Sequence, residues 1–257
     1  MNHKPYIIVS NDDGINAPGI HHLANIASKF GDVMVIAPEV EHSGQSHAVT
    51  VKRPLFAKHV KTENNIQYYS CAGTPVDCLK LGLGVFSGRK PDLVISGINH
   101  GSNAGTNVFY SGTMAIAIEA VFEKIPSIGF SYCSHSHDID FTEILPYVEK
   151  IIEIALKDKP IPEGCCWNVN FPYQYKDGIQ GIKACSMSEG VWSNMFEDRA
   201  VPSSGKPYYW LFGDYTDENP KEGTDEYALQ RGYVSVVPIT IDITDYKEID
   251  KISKLFK

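Results

Sequence analysis

The stretch Tyr6–Gly14, YIIVSNDDG, decides the fold, because a short apolar run ends abruptly in two aspartates. Its first five residues are mostly β-branched or aromatic and lack polar alternation, which is typical of a strand buried within a parallel sheet. Val33–Ala37 (VMVIA) has the same character, and Gly19–Phe30 between the two runs carries apolar residues at helical spacing. Together these segments predict a right-handed β-α-β unit, and hence an α/β protein with a parallel sheet.

Strand and helix patterns continue to alternate along the chain. Asp92–Ser96 (DLVIS) predicts a third buried strand, and Thr74 followed by Pro75 predicts the start of a helix that reaches Phe86. Gly82-Leu83-Gly84 precedes a strand instead of following one, so we interpret it as a helix C-cap and not as a dinucleotide fingerprint. The other expected strands are Val49–Val51, Leu55–Lys58, Ile66–Ser70, Ile125–Ser131 and Trp167–Phe171, and the other expected helices are Thr113–Lys124 and Phe141–Leu156.

Composition narrows the classes of function. The 257 residues carry a formal net charge of -8, which argues against binding of a nucleic-acid polymer, since polyanions are normally bound by basic faces. None of the six cysteines forms a C-x-x-C pair, so a zinc ribbon is not expected. The N-terminal apolar run is too short for a signal peptide, and no segment reaches the roughly 20 apolar residues of a membrane span. We therefore expect a cytoplasmic protein with reduced thiols and no membrane partner.

The C-terminal part of the chain differs in composition from the rest. We expect one domain over residues 1–257, with an α/β core at about 1–186 and an extension over 187–257. Tyr208–Phe212 (YYWLF) predicts one arm of a hairpin, Gly232–Ile241 an edge strand that tolerates its proline, and Asp245–Phe256 a final helix. Aromatic residues are dense in this extension and need an apolar surface, so we expect it to pack on a second copy of the chain. The alternative is that it folds back on its own core.

Three polar loops follow predicted strands at the edge where parallel strands end, and ligands bind at that edge of an open sheet. The loops carry Asp12 and Asp13, then Ser43, then Asn99. Adjacent aspartates repel each other unless a cation or strong donors lie beside them, and oxygen ligands suit Mg²⁺ or Mn²⁺. The alternative is that one aspartate caps the helix near Gly19 while the other is solvated.

The segment Tyr110–Thr113 opens a predicted helix, whose free backbone N–H groups and positive dipole end make an anion site. Ser111 and Thr113 add hydroxyl donors, so beside a cluster of carboxylates and a metal we interpret this turn as a phosphate site. The alternative is a simple N-cap by one of the two hydroxyls. Four further residues have metal-ligand side chains but lie together in one loop, where solvation is the better interpretation: His135, His137, Asp138 and Asp140.

The sequence as a whole resembles the SurE family of survival proteins, which are metal-dependent nucleoside monophosphate phosphatases. The resemblance runs over nearly the whole chain in the family's order and rests on these segments: VSNDDGINAPGI, APEVEHSGQSHAVT, CAGTPVDC, PDLVISGINHGSNAGTNVFYSGT, WNVNFP and TDEYALQRGYVSVVPI. It implies a Rossmann-like, three-layer core and a homodimer or homotetramer in which the C-terminal segments reach a partner subunit. After SGT the family usually has small residues and then Glu-Gly, whereas this chain has Met114 and Glu119-Ala120.

The resemblance also implies roles for the loop residues. One divalent metal per subunit, Mg²⁺ or Mn²⁺, is expected on Asp12, Asp13, Ser43 and Asn99. Phosphate contacts are expected from Ser111, Gly112 and Thr113, with Asn103 close by. Asp12, Asp13 and Asn99 are the expected catalytic residues, and one of the two aspartates accepts a proton from the attacking water.

The expected reaction is hydrolysis of nucleoside monophosphates to nucleoside and phosphate, with 5′-nucleotides as substrates; whether 3′-nucleotides are substrates too is left open by the sequence. A haloacid-dehalogenase-type phosphatase needs an Asp-x-Asp pair, and a zinc deacetylase needs a histidine closely before the aspartates; this chain has neither. The remaining alternative is a nucleotide-binding sensor that uses the same metal and phosphate site without turnover.

Overall fold

The protein is built around a mostly parallel sheet with helices on both sides. The computed structural model describes residues 4–134, 136, 139–173, 175–193 and 195–256. In chain order the strands are β1 Tyr6–Ser10, β2 Asp32–Pro38, β3 Ala57–Glu63, β4 Ile66–Cys71, β5 Leu93–His100, β6 Ser127–Tyr132, β7 Cys165–Phe171, β8 Gly181–Ala184, β9 Val191–Trp192, β10 Met195–Ala200, β11 Pro207–Phe212, β12 Tyr215–Thr216 and β13 Tyr233–Thr240. The α-helices are α1 Pro18–Ala27, α2 Pro75–Leu81, α3 Gly112–Phe122, α4 Leu145–Lys157, α5 Asp225–Leu229 and α6 Tyr246–Leu255.

The main sheet has the strand order β3-β4-β2-β1-β5-β6-β7-β13-β8. The six strands from β4 to β7 run parallel, β3 and β13 pair antiparallel with β4 and β7, and β8 runs parallel to β13. Since β1 lies in the middle of the sheet, its side chains are buried on both faces. Ile7 and Val9 pack toward α1 and α4, while Ile8 packs toward α2 and α3. The expected α/β class and three-layer core are confirmed.

Most expected elements form within a few residues of their predicted bounds, and Thr74 caps α2 as predicted. Its hydroxyl accepts from the backbone N–H of Asp77 at 3.1 Å, and the Asp77 carboxylate accepts from the Thr74 N–H at 2.9 Å. Each partner satisfies an orphan N–H at the start of the helix. The helix expected over Phe141–Leu156 begins only at Leu145.

One expectation about local structure is wrong, and a second holds only in part. Val49–Val51 is a loop and not a strand, because the Thr50 N–H is bonded to the Asp77 carboxylate at 3.0 Å instead of to a neighbouring strand. Helix α2 does end at Leu81 with Gly82 as its C-cap residue, but Gly82 is right-handed and the chain continues as a π-helical turn over Gly82–Phe86. A side chain at Gly82 would lie 3.0 Å from Ile36, so the glycine lets the helix pass close to β2.

The strand near the C-terminus is an edge strand over only part of its length. Its first half, Tyr233–Val236, is covered by β8, so the expectation of an edge strand is wrong there. Pro238 lies past the last residue pair with β8, where no neighbouring strand needs the N–H that proline lacks. Because β13 joins the main sheet, residues after 186 contribute to the core as well as to the extension.

Among the described residues no helix is both long and apolar enough to cross a bilayer.

Candidate active site

The predicted metal and phosphate residues surround the point where the chain order of the sheet reverses. β1 connects to β2 on one side, whereas its neighbour on the other side is β5, and open α/β sheets bind ligands at such a point. Asp12 and Asp13 follow β1 directly, and Asn99 lies at the end of β5. The register of β5 against β6 shifts between Ser96 and Asn99, an irregularity of the kind that redirects side chains at a strand end.

Thr113, from the first turn of α3, connects the two strand ends. Its hydroxyl donates to the Asp12 carboxylate and lies 3.4 Å from the amide oxygen of Asn99. The residue is fully buried. Its proton is therefore directed to Asp12, and the phosphate contact expected of Thr113 stays a prediction.

The two aspartates differ in burial, since Asp12 is buried and Asp13 is partly exposed. Asp12 is only 3% exposed, and burial raises the pKa of its carboxyl despite the hydrogen bond from Thr113. Burial, and next the negative charge of Asp12, raise the pKa of Asp13 to about 7. Side-chain oxygen Oδ2 of Asp13 is buried without a hydrogen-bond partner among the described residues. A carboxylate pair of this kind is stable only if protons or a cation compensate its charge.

The turn after β1 is fixed by Asn11 and not by the aspartates. The Asn11 amide donates to the Gly14 carbonyl at 3.0 Å and accepts from the Gly14 N–H at 3.2 Å. Gly14 has φ +100°, a conformation that favours glycine. Helix α1 starts after Ala17 with no side-chain cap, so the alternative in which an aspartate caps this helix is wrong.

Helix α3 begins directly against Asp12. Ser111 is its N-cap and accepts from the Met114 N–H at 3.0 Å, which leaves the Ser111 hydroxyl proton unused by that bond. A Cβ at Gly112 would lie 2.7 Å from the Asp12 Cβ and 2.8 Å from its Oδ2. Only glycine lets the N-terminus of α3 approach the carboxylate so closely, and the backbone of Gly112 and Thr113 hydrogen-bonds to that carboxylate.

Asn103 is held by a buried polar network. Its backbone N–H donates to the Asn170 amide oxygen at 2.8 Å, and its carbonyl accepts from the Asn168 amide at the same distance. Its side-chain amide donates to the Ser131 hydroxyl at 2.8 Å. Three strand-end side chains of β6 and β7 thus fix the loop after β5, and fully satisfied networks of this kind are rigid.

The loop that carries Ser43, after β2, is held at the same site by a backbone hydrogen bond. The His42 N–H donates to the Asp12 carbonyl at 2.8 Å, which ties the loop to the end of β1. Ser43 is exposed there and donates to Glu41 at 2.8 Å. The structure therefore brings Ser43 to the rim of the site, while Asp12, Asn99 and Asn103 lie inside it.

A cavity of about 520 Å³ opens over these groups. From the predicted set it is lined by Asp12, Ser43, Asn99, Asn103 and Ser111. Tyr110, from the predicted phosphate turn, lines it too, and nine lining residues were not predicted: Gly44, His100, Ser102, Asn107, Trp192, Ser193, Leu211, Phe212 and Gly213. The last five come from the C-terminal extension, and the aromatic density that predicted an interface was the only signal for them in the sequence.

The residues present fit a divalent cation. Two carboxylates, an amide oxygen and a hydroxyl are hard oxygen donors, and the unpartnered oxygen of Asp13 lacks the positive partner that a buried carboxylate needs. Within the described ranges no three His, Cys, Asp or Glu side chains are grouped as metal ligands, so the amide and hydroxyl oxygens must complete the donor set of the two aspartates. His135, His137 and Asp138 lie outside the described residues, and Asp140 is exposed and accepts from Thr142.

Comparison with known proteins identifies the family. The model of the survival protein SurE family matches residues 7–194. A 5′-nucleotidase SurE from Flavobacterium psychrophilum is 43% identical over 251 residues, which cover 97% of each chain. The chain belongs to the SurE family. The resemblance inferred from the sequence motifs is thereby confirmed.

Other SurE proteins match over similar lengths. A 5′-nucleotidase SurE from Bacteroides thetaiotaomicron is 44% identical over 252 residues, covering 97% of this chain and 95% of that one. The crystal structure of the SurE protein from Aquifex aeolicus superposes with a TM-score of 0.84 at 37% identity. The alignment covers 98% of this chain and all of the other, so the fold is shared from end to end.

This SurE chain departs from the family pattern at Met114 and at Ala120, which stands where the family has Gly after the Glu, and both residues are fully buried on α3. Met114 is fully buried, and its sulfur approaches Gly129 of β6 so closely that a Cβ there would lie 2.4 Å away. Glu119 is buried on α3, where it pairs with Lys80 and with His47 at 2.8 Å. Although burial raises the pKa of Glu119, these hydrogen bonds hold it below its usual value. The departures therefore concern packing and leave the strand-end residues unchanged.

Proposed function

We propose that this SurE protein is a phosphomonoesterase that hydrolyses nucleoside monophosphates to nucleoside and phosphate. The observation that carries the proposal is the adjacent pair of carboxylates, with Asp12 buried against the N-terminus of α3 and Asp13 partly buried beside it. A cation bound by the carboxylates and an anion bound by the helix N-terminus then neutralise each other. The relatives named 5′-nucleotidase SurE support the same substrate class.

We further propose that Asp12, Asp13, Asn99 and Ser43 hold one divalent cation, Mg²⁺ or Mn²⁺. Such a cation, when bound, neutralises charge on phosphoryl oxygens and lowers the pKa of a bound water. Thr113 holds the Asp12 carboxylate through its hydroxyl, so that Asp12 presents its other oxygen, Oδ2, on the side of Gly112. This arrangement pre-organises the carboxylates before substrate arrives.

The remaining site residues act on the phosphate itself. The positive end of the α3 dipole and the Ser111 hydroxyl act on its non-bridging oxygens, with the Asn103 loop alongside. Donors aimed at these oxygens stabilise the charge that shifts in the transition state. One of the two aspartates accepts the proton of the attacking water, and the other keeps its charge.

Phosphate release from a panel of nucleotides tests the reaction. With Mg²⁺ or Mn²⁺ we expect turnover of 5′-nucleoside monophosphates, and a parallel set of 3′-nucleotides measures which ester is preferred. A sensor that only binds nucleotides would show saturable binding and no phosphate release above that of the Asp12→Asn variant. That result would overturn the enzymatic proposal while leaving the binding site in place.

We also propose that the extension assembles the protein into a homodimer or homotetramer, in keeping with the sequence prediction. Both strands of the hairpin formed by β10 and β11 are exposed along their whole length, and helix α6 has no buried residue. Along that helix, Ile249, Ile252 and Phe256 form an exposed apolar face. Surfaces of this size mark interfaces in soluble proteins. The cytoplasmic location stays a prediction of the sequence.

Changing Tyr208, Tyr209 and Trp210 together to Ser tests this assembly. These side chains lie on one exposed strand, so we expect light scattering at micromolar concentration to show a smaller species than the native chain. Metal binding should persist, because no predicted metal ligand lies on this strand. Val85→Ser, at another exposed apolar residue outside the extension, is the control and should keep the native mass. A monomeric native protein with full activity would contradict the proposal.

A further inference from the structure

The active-site cavity has an apolar wall that phosphate hydrolysis does not need. Trp192, Leu211 and Phe212 from the extension, together with Tyr110, line the same cavity as Asp12. All four are substantially exposed in the chain. Its volume of about 520 Å³ lies within the range of pockets that enclose a whole small molecule and exceeds what a phosphate group alone requires. The apolar wall therefore matches another part of the substrate.

Trp192 is held in a fixed orientation in this wall. Its indole N–H donates to the Asn107 amide oxygen at 2.5 Å, and its ring meets the ring of Tyr215 at 5.9 Å with an angle of 61°. The backbone pairs with the same tyrosine, because Trp192 lies opposite Tyr215 between β9 and β12. The only polar atom of the indole is thus already bonded, although 45% of the residue surface remains exposed.

We propose that Trp192 is the stacking platform for the nucleobase of the substrate, an inference that rests on the proposed nucleotidase function. An indole whose N–H is already bonded offers its π face and no hydrogen bond, so it binds any base by stacking. The phosphate binds at the strand ends while the base lies along the aromatic wall. Recognition of this kind tolerates all bases and favours purines through their larger ring area.

The test compares a nucleotide with the same phosphate ester lacking its base. For Trp192→Leu we expect the ratio of kcat/KM for AMP to kcat/KM for ribose 5-phosphate to fall roughly 5- to 100-fold, as expected for loss of one base–aromatic stack. Most of this fall should appear in KM for AMP. Trp192→Phe keeps an aromatic face and should restore most of the ratio.

Trp210→Leu is the matched control, because it removes the same ring from the same extension at a residue that does not line the cavity. The ratio should stay within about twofold of the native value. If Trp192→Leu leaves the ratio unchanged, or lowers it no more than Trp210→Leu does, the platform proposal is wrong.

Fluorescence separates this outcome from a failure of the proposed function. A chain with Trp167→Phe and Trp210→Phe keeps Trp192 as its only tryptophan. Saturating AMP should quench its emission, and ribose 5-phosphate should not. If the protein shows this quenching but no phosphate release, the hydrolase proposal is wrong while the platform remains. Equal responses to both compounds would overturn the platform whether or not hydrolysis occurs.

Discussion

Replacing Asp12 or Asp13 with Asn is expected to lower kcat about a hundredfold or more, equivalent to about 2.7 kcal/mol of transition-state stabilisation. Each change removes one negative oxygen donor from the proposed cation and leaves the shape of the side chain nearly intact. The fold should persist in both variants, because they relieve repulsion between two adjacent carboxylates. Initial rates of phosphate release from AMP with saturating Mn²⁺ measure the effect, and circular dichroism measures the fold.

Asp32→Asn is the control for the two aspartate variants. Its carboxylate is exposed at the start of β2 and pairs with Lys4, so its loss should change the rate by less than about twofold. Near-normal rates in both Asp12→Asn and Asp13→Asn would show that the metal assignment is wrong. Loss of folding in both would show that the pair is structural.

Gly112→Ala is expected to lower kcat by about a hundredfold as well, although it adds only one methyl group. That methyl group would lie 2.7–2.8 Å from Asp12, so the carboxylate or the start of α3 must move. A displacement of about 1 Å in a catalytic group can cost two orders of magnitude in rate. The helix itself gains intrinsic stability from alanine, so a broad loss of structure is not the expected cause.

Gly84→Ala is the matched control for this substitution. It makes the same chemical change in a helical segment where a Cβ would meet no atom within 4 Å. Its rate and thermal midpoint should stay close to those of the native chain. If Gly112→Ala keeps a rate within about threefold of native, close approach of α3 to Asp12 does not matter for the reaction.

The sheet could be predicted from the sequence because its signals are local. Strands buried on both faces read as uninterrupted apolar runs, as β1 and β2 do, and polar residues at their ends mark the ligand edge. By the same reasoning the sequence predicts that Asp12 and Asn99 lie at one site, and in the structure both line the same cavity. The loop over Val49–Val51 was not predicted, because its β-branched residues favour a strand. In the structure the Thr50 N–H donates to the carboxylate of Asp77, which is distant in sequence.

The aromatic wall was harder to predict, since it depends on long-range contacts. Trp192 enters the cavity through its bond to Asn107, a partner 85 residues away, and local pattern carries no information about such a pair. The pairing of Tyr233–Val236 with β8 could not be predicted from the sequence for the same reason. Aromatic density indicated that the extension needed a partner surface, and three of its large apolar residues, Trp192, Leu211 and Phe212, line the cavity over Asp12.

The proposal that hydrolysis depends on a divalent metal is tested by measuring phosphate release from AMP before and after metal is removed. We expect thorough EDTA treatment followed by its removal to abolish activity, and Mg²⁺ or Mn²⁺ to restore it in the native chain. Asp12→Asn, treated identically, should regain little, because it lacks one of the two carboxylates proposed to hold the cation. Undiminished phosphate release by the chelator-treated native chain would contradict the account.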